Sequence, residues 1–301
     1  MTGGTGTSDR YTLGIGLVVL SALVLSTLGI GLRHIEAASG WQILFYRSLS
    51  FTLTLALIVG VRSRGKLLSA LISVGWRGVV VATLLAMGST MMVFSMLNTT
   101  VANTTFVVST TPFIAAALGW LILREAVAPS TCGLMGAAIG GIGLMLTDGL
   151  QGGGLAGVAL AFGVALSAGL MLVMVRGSRD VDMIPALILA GLMTTVVTGF
   201  MAPSLDISSH DRWLSFGLGA GQYAIGFALL IAGTRFVPVA QVALLTLIEA
   251  VLGPVWVWLW VDETPSTYTL IGGAIVLSAT LVQALLGLKS RPPASASDRT
   301  A

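Results

Sequence analysis

Residues 111–125 read TPFIAAALGWLILRE, and residues 249–263 read EAVLGPVWVWLWVDE. Both stretches are strongly apolar, and both end in two charged residues of which the second is glutamate. Each continues through the tripeptide Pro-Ser-Thr into a Gly- and Ala-rich run, which begins at Gly136 in the first copy and at Gly272 in the second. The second half of the chain therefore repeats the first. A duplicated bundle of membrane helices is the usual architecture of a secondary transporter.

The composition indicates a membrane protein rather than a soluble enzyme or a nucleic-acid-binding protein. Hydrophobic residues make up 55% of the chain and charged residues only 9%, whereas a soluble domain has roughly 25% charged residues. No Walker-type phosphate loop is present, and the single Cys132 forms no internal disulfide. His34 and His210 have no Cys or second His at ligand spacing. We therefore predict no metal site, no cofactor and no enzyme activity.

Apolar stretches long enough to cross a bilayer, about 20 residues each, recur along the whole chain. The ten predicted helices cover residues 11–32, 41–61, 78–97, 101–123, 130–148, 154–175, 184–202, 213–233, 238–260 and 267–288. The sequence thus predicts an all-α integral membrane protein with five transmembrane helices in each repeat. The predicted organisation is a disordered cytoplasmic N-terminus at 1–10, a first repeat at 11–148, a second repeat at 149–288 and a disordered cytoplasmic tail at 289–301.

The basic residues predict the orientation of these helices. With the N-terminus inside, Arg33 and Arg212 alone fall in outer loops and Arg47 falls within a span, while the other twelve of the 15 Lys and Arg residues lie in inner segments. This bias places both termini in the cytoplasm. Because each repeat has an odd number of helices, the two repeats have opposite orientation, which permits alternating access to a central site.

The residues around the fourth helix of each repeat resemble a known family. The first copy has Ser-Thr-Thr-Pro at 109–112 and Leu-Arg-Glu at 123–125, and the second has Ile-Glu-Ala at 248–250 and Val-Asp-Glu at 261–263. Over residues 11–288 the chain resembles the drug/metabolite transporter superfamily, in its ten-helix EamA-type branch.

This resemblance implies a multi-pass transporter of the bacterial inner membrane that exports a small-molecule substrate. Within the family, the chain is most similar to bacterial amino-acid exporters, including the aromatic amino-acid exporter subgroup. It departs from the family in Ala250, where Pro is common, and in Arg124 and Asp262, where Gly is common. These departures weaken the transfer of residue roles but leave the implied fold unchanged.

Arg47 and Glu249 are the conspicuous charges at membrane depth. At ~1.5 Å per residue, Arg47 lies ~9 Å from the outer end of its helix and Glu249 ~16 Å from the inner end of its own. In a core ~30 Å thick the two therefore lie within ~5 Å of one depth. An ionisable group there is costly and indicates function. The structural alternatives are that Arg47 caps helix ends or neutralises Glu249, and that nearby hydroxyls satisfy Glu249. The functional one is that Glu249 meets a substrate ammonium or carries a coupling proton.

One face of the ninth helix has a stripe of residues at spacings of mostly three and four. The stripe is Gln241, Leu245, Ile248, Glu249, Leu252 and Trp256, and the repeat maps it onto Asn103, Val107, Thr110, Thr111 and Ile114 of the fourth helix. It either lines a central cavity or forms hydrogen bonds between the two helices, worth about 0.6–2 kcal/mol each. Aromatic and thioether side chains would supply apolar walls and adaptable contacts. The predicted cavity residues are Tyr46, Arg47, Met92, Phe94, Asn103, Thr110, Thr111, Gln222, Tyr223, Phe227, Gln241, Leu245, Glu249 and Trp256.

Gly133, Gly136, Gly140 and Gly143 share one face of the fifth helix, in a small-xxx-small pattern that permits close contact between helices. We predict that this face packs either within the protein or between the subunits of a homo-oligomer.

The sequence as a whole predicts an exporter of small neutral or zwitterionic solutes, above all aromatic or hydrophobic amino acids. One Arg, one Glu and several amides and hydroxyls suit a zwitterion, and the sparse membrane charge argues against polyanions. The alternative is an exporter of lipophilic cations or drugs, with Glu249 as the counter-ion. A membrane enzyme, a lipid-handling protein and a structural subunit are further alternatives, although the loops offer no reactive cluster.

Overall fold

The computed structural model describes residues 5–62, 74–152, 154–176 and 183–289. Within these ranges there is no β-strand, and ten helices are long and apolar enough to cross a membrane. The spans, numbered α1 to α10, are Arg10–Arg33, Gly40–Val61, Gly75–Asn98, Val101–Leu123, Pro129–Thr147, Leu155–Val175, Ile184–Met201, Ser209–Thr234, Gln241–Val261 and Thr267–Leu288. The predicted all-α fold with ten spans is confirmed, and no boundary differs from its prediction by more than four residues.

Several helices extend beyond the apolar spans. The helices containing α2, α5, α6, α7 and α9 are Gly40–Arg62, Pro129–Gly152, Leu155–Arg176, Met183–Met201 and Val239–Val261. The helix of α1 begins at Thr5, inside the segment for which the sequence predicts disorder, and that of α10 ends at Lys289. Residues 1–4 and 290–301 of the two predicted tails lie outside the described residues.

Three spans contain irregular backbone. The helix of α1 is interrupted at Ser26–Thr27 and that of α4 at Ser109–Thr110. The interruption in α4 comes just before Pro112, whose ring cannot donate a backbone hydrogen bond. Two π-helical segments follow, Gly119–Leu123 at the end of α4 and Leu218–Ala224 within α8. In membrane transporters, discontinuous helices of this kind border the central binding site.

The fourth helices of the two copies, α4 and α9, end in the same way. Arg124 after α4 and Asp262 after α9 both have left-handed backbone, with φ of 56° and 54°. The next residues, Glu125 and Glu263, each donate their backbone N–H to a carbonyl six residues earlier, at 3.3 Å and 3.2 Å. Glycine adopts this conformation without steric cost. This explains why Gly is common at both positions in the family that the sequence resembles.

Helices at equivalent places in the two copies make equivalent contacts. The third helix of one copy packs on the first helix of the other, so α3 contacts α6 and α8 contacts α1. The second helices, α2 and α7, pack on each other, and so do the fifth helices, α5 and α10. The first four helices of each copy thus pack into one bundle, whereas α5 and α10 form a pair beside it.

The prediction that the glycine face of α5 packs within the chain is wrong. A side chain at Gly133, Gly136, Gly140 or Gly143 would meet no atom within 4 Å. The close contact with α10 is made instead by Gly141 and Gly272, where an added Cβ would touch the backbone carbonyl of the opposite glycine. Because α5 is apolar on every side, the spacing of its glycines does not reveal which face meets a neighbour.

Gly219 brings α8 against α2, and its replacement by alanine is expected to destabilise the protein by about 1–3 kcal/mol because it overpacks a tight contact. A Cβ at Gly219 would overlap the backbone carbonyl of Arg47 and the hydroxyl of Ser50. Gly221, on the same helix, has no atom within 4 Å of such a Cβ and provides the matched control. The unfolding midpoint of the purified protein in detergent should fall for Gly219→Ala and hold for Gly221→Ala. Equal midpoints would show that this contact can relax.

Candidate functional site

Six helices contribute side chains to one apolar layer. The layer lies near the end of the bundle that holds Arg33, the Arg33 end. The buried residues of this sealing layer are Leu28, Leu32, Ile43, Leu44, Val93, Met96, Val101, Leu218 and Val257. They come from α1, α2, α3, α4, α8 and α9, so the layer joins six helices and excludes water from its interior. By the predicted topology, the Arg33 end faces away from the cytoplasm.

An ion pair covers the sealing layer. Arg33 Nε lies 2.6 Å from Glu263 Oε2. Arg33 also donates from Nη1 to the carbonyl of Met96 at 2.6 Å and from Nη2 to that of Thr99 at 3.0 Å. Glu263 in turn accepts the backbone N–H of Val101 at 2.7 Å. The pair therefore joins the ends of α1, α3, α4 and α9, and its charge-assisted hydrogen bonds are stronger than neutral ones.

Arg47 is the buried charge of the central region. Its side chain is only 2% exposed. Nη1 donates to Ser89 Oγ at 3.0 Å, while Nε is buried without a hydrogen-bond partner. Among the described residues, no carboxylate lies within 4.0 Å of the guanidinium nitrogens. In this conformation, therefore, Arg47 does not pair with Glu249.

Tyr223 covers the guanidinium of Arg47. The Cζ atom of Arg47 lies 4.1 Å from the centre of the tyrosine ring, a cation–π geometry. Phe51 and Phe227 pack on the same ring, with centroid distances of 4.6 Å and 4.8 Å. A cavity of about 10 Å³ remains beside Arg47, bordered by residues of α2, α3, α7 and α8. This volume holds about one water molecule.

Glu249 is the second charge of the central region. Its side chain is partly exposed, and it has no hydrogen-bond or ion-pair partner among the described residues. One turn away on α9, a Cβ at Gly253 would lie 3.3 Å from the side chain of Thr105 on α4. Since α4 and α9 run in opposite directions, the same register places Glu249 level with Ser109, at the interruption of α4. Glu249 thus lies about two turns beyond the sealing layer, at the broken part of α4.

Three of the predicted cavity residues form hydrogen bonds between helices. Asn103 Oδ1 accepts from Thr269 Oγ1 at 2.9 Å, which joins α4 to α10. The Gln222 amide donates to the carbonyl of Leu25 at 2.8 Å, which joins α8 to α1, although its Oε1 is buried without a partner. Trp256 donates its indole N–H to Ser26 Oγ at 2.8 Å, at the interruption of α1. Hydrogen bonds between α4 and α9 were one prediction for the two polar stripes. Asn103 makes no such bond, because its partners are Thr269 on α10 and the nearby Thr99.

The other predicted polar residues bond nearby backbone or lie near the ends of the bundle. The hydroxyls of Thr110 and Thr111 donate to carbonyls three residues earlier, both at 2.6 Å. The Tyr46 hydroxyl donates to the carbonyl of Leu205 in the connection between α7 and α8. Gln241, at the start of α9, accepts from the Tyr11 hydroxyl at 2.7 Å. None of these hydrogen bonds is made to Arg47 or Glu249.

The remaining predicted residues are apolar packing groups. Met92 and Phe94 pack against the sealing layer, and the Phe94 ring also meets Trp41 edge-on at 4.6 Å. Leu245 packs against a small cluster that joins α1 to the start of α9. The structure thus brings Arg47, Tyr223 and Phe227 together, and it places Glu249 on a separate wall of the central region.

Sequence reasoning missed several polar residues that make contacts at the candidate site and at the Arg33 end. Ser89 holds Arg47, and the ion pair of Arg33 with Glu263 lies above the sealing layer. Asp211, at the start of α8, accepts three backbone N–H groups from residues 36–38 at 2.9–3.0 Å. No local signal predicts these pairs, because the partners are 42 to 230 residues apart in the chain. Within the described ranges, no group of three His, Cys, Asp or Glu residues could hold a metal ion.

Comparisons with known proteins agree with this architecture. The model of the EamA-like transporter family matches residues 12–147 and again residues 155–284. A solved structure, described only as the crystal structure of a protein, superposes with a TM-score of 0.64 over 93% of this chain and 98% of its own. Its sequence identity of 17% shows a shared fold and no more. A search of curated proteins gives no match.

Proposed function

Because the chain belongs to the EamA-like transporter family, and is therefore a multi-pass membrane transporter, we propose that it exports small zwitterionic or neutral solutes. Amino acids with aromatic or hydrophobic side chains are the proposed substrates, moved by alternating access across a bacterial inner membrane. The observation that carries this proposal is the presence of two separate charges of opposite sign, Arg47 and Glu249, that do not neutralise each other. A zwitterion offers a counter-charge to each of them.

The surroundings of the two charges suit an amino acid. Phe51, Tyr223 and Phe227 form a run of rings next to Arg47 that pack in tilted and edge-to-face geometry, and such rings make an apolar wall for a hydrophobic side chain. Isolated charges in a membrane interior are rare and mark substrate or ion pathways. A polyanionic substrate is disfavoured, since Arg47 is the one cation predicted within a span.

Alternating access is supported by the repeat and by the sealed Arg33 end. Two copies of opposite orientation can exchange conformations in which one end or the other is closed. The proposed inversion is supported by the charge distribution and by the matching ends of α4 and α9. In this conformation the Arg33 end is closed by the sealing layer and by the ion pair above it.

A second candidate is the export of lipophilic cations, and one observation favours it. Arg47 is buried behind Tyr223, whereas Glu249 is partly exposed and has no partner in the described chain. A cation could therefore bind at Glu249 and stack on aromatic rings without reaching Arg47.

Efflux from proteoliposomes that hold the purified protein separates the two candidates. Labelled phenylalanine, tyrosine, tryptophan, leucine and tetraphenylphosphonium would be tested singly, with and without a pH gradient. We expect saturable efflux of the aromatic amino acids and slower movement of leucine. Saturable efflux of tetraphenylphosphonium without any amino-acid efflux would overturn the proposal in favour of cation export. Empty liposomes and the Gly221→Ala protein are the controls, because Gly221 meets no other residue.

A further inference from the structure

The guanidinium of Arg47 is a charge without a counter-charge in the interior of a membrane protein. It is 2% exposed, it donates from Nη1 to Ser89 Oγ, and the side chain of Tyr223 packs against it. A buried charge is stable only when a partner of opposite sign or several hydrogen bonds compensate its lost hydration. The unpaired Nε therefore points to a partner that binds reversibly and does not belong to the chain.

The side of the guanidinium that carries the unpaired Nε has the shape that a carboxylate requires. Ser89 accepts from Nη1, whereas Nε is buried without a hydrogen-bond partner. Nε and Nη2 form one side of the planar guanidinium, and two parallel N–H groups on that side bind both oxygens of a carboxylate. Ser89 thus fixes the rotation of the guanidinium and leaves Nε without a hydrogen-bond partner.

The walls of the adjacent cavity strengthen such an interaction. Ser48, Ser89 and Thr194 supply hydroxyl groups, while Phe51, Leu85 and Leu187 supply most of the apolar lining. A charge pair in surroundings of this kind is screened far less than one in water. The cavity holds only about one water molecule as it stands, so a carboxylate enters only when a neighbouring side chain moves.

Tyr223 is the side chain placed to make that movement. Its ring lies against the guanidinium at 4.1 Å, and it is partly exposed while Arg47 is not. The ring face is a weak substitute for a counter-charge, since a cation–π contact gives roughly 0.5–2 kcal/mol. A carboxylate is a stronger partner and displaces the ring from the guanidinium.

We propose that Arg47, held by Ser89 and covered by Tyr223, is the subsite for the carboxylate of the transported solute. The assignment rests on the proposed function, because it concerns a substrate with a carboxylate group. It adds that the carboxylate determines specificity, so analogues without it are rejected. Tyr223 is a positioning residue that shields the cation between transport cycles.

Competition between paired compounds tests this assignment. Unlabelled phenylalanine, phenylalaninamide and phenethylamine would compete with labelled phenylalanine in proteoliposomes. We expect phenylalanine to compete at least about 30-fold better than either compound without a carboxylate, the ratio for loss of a buried charged hydrogen-bond pair. In Arg47→Gln this ratio should fall to nearly one. In Arg47→Lys this ratio should be intermediate, because lysine keeps the charge but lacks the planar guanidinium that binds both carboxylate oxygens. Arg212→Gln, at an exposed arginine near the start of α8, should keep the wild-type ratio.

A binding measurement that does not need transport distinguishes a failure of the proposed function from a failure of the carboxylate subsite. Phenylalanine should raise the unfolding midpoint of the wild-type protein in detergent, and phenethylamine should not. If neither amino-acid transport nor this shift occurs, the proposed function fails. If both occur and Arg47→Gln still discriminates against phenethylamine, the carboxylate subsite is wrong while the proposed function stands. Should Arg47→Gln not fold, Arg47→Lys and Ser89→Ala carry the same comparison, with a smaller loss of discrimination.

An inorganic anion shares the chemistry of a carboxylate, so its role needs an experiment of its own. Efflux would be compared in chloride and in methanesulfonate buffers, with nitrate as a second inorganic anion. A carboxylate subsite predicts equal efflux in chloride and methanesulfonate. Efflux that stops in methanesulfonate and recovers in nitrate, with no preference for phenylalanine over phenethylamine, would assign Arg47 to an inorganic anion and overturn the proposal.

Discussion

Replacement of Glu263 by alanine is expected to open the Arg33 end of the bundle. The change removes the ion pair with Arg33 and the hydrogen bond from the Val101 backbone N–H. Loss of a hydrogen bond to a charged group costs about 1.5–3 kcal/mol, and both groups are only partly exposed, at 23% and 15%. A change of this size shifts a conformational equilibrium by roughly 10- to 100-fold.

The opening can be measured as the reaction rate of a cysteine placed in the sealing layer. Cys132 is the single native cysteine, so a Cys132→Ser protein with Val93→Cys carries one reporter, at a site with 0% exposure. A bulky water-soluble maleimide should react with it at least about 10-fold faster after Glu263→Ala, because labelling follows the population of the open form. Glu36→Gln, at an exposed glutamate near the same end, should leave the rate unchanged.

A double-mutant cycle distinguishes the ion pair from the other bonds that each residue makes. Arg33→Gln also removes donors to Met96 and Thr99, so its single effect is expected to be as large as that of Glu263→Ala. If the pair acts as a unit, the double variant should open little further than either single one. Additive effects would show that the backbone bonds, and not the ion pair, hold the Arg33 end closed.

The helices were predictable because the signal for each is long and repeated. Ten apolar stretches separated by short polar segments leave little choice of boundary, and the largest difference, at the start of α8, is four residues. In α8 the apolar stretch begins after a polar turn from Ser209 to Arg212, which the helix includes because Ser208 caps it. Length and hydropathy therefore determine the spans, while capping groups determine where the helices begin.

The partners of the polar residues were not predictable. Asn103 lies on the predicted polar stripe of α4, yet its carbonyl accepts from Thr269 on α10, 166 residues away. Arg33 and Glu263 are 230 residues apart, and neither lies in a motif that indicates a pair. On helices that are apolar all round, periodicity does not reveal which neighbour each face meets. The sequence therefore suggested the charges of the central region, whereas Ser89 and the cover by Tyr223 required the structure.

Glu249→Gln is expected to make the protein more stable and a poorer transporter. An unpaired carboxylate inside a membrane protein costs stability, so its neutralisation should raise the unfolding midpoint. Efflux should fall by about 10- to 100-fold, because residues that oppose local stability are retained for function. A purely structural carboxylate behaves in the opposite way. Asp211→Asn is the matched comparison, since Asp211 is fully buried and accepts three backbone N–H groups, and it should lower the midpoint.

The combination of the two measurements decides what Glu249 does. If Glu249→Gln loses stability as Asp211→Asn does, the glutamate is a structural group with a partner that this conformation does not show. If stability rises and efflux stays normal, Glu249 lies outside the transport path. Efflux that falls at every pH assigns it to the substrate ammonium, because the attraction is lost in all conditions. Efflux that persists but no longer depends on pH assigns it to a coupling proton, since a glutamine side chain neither binds nor releases one.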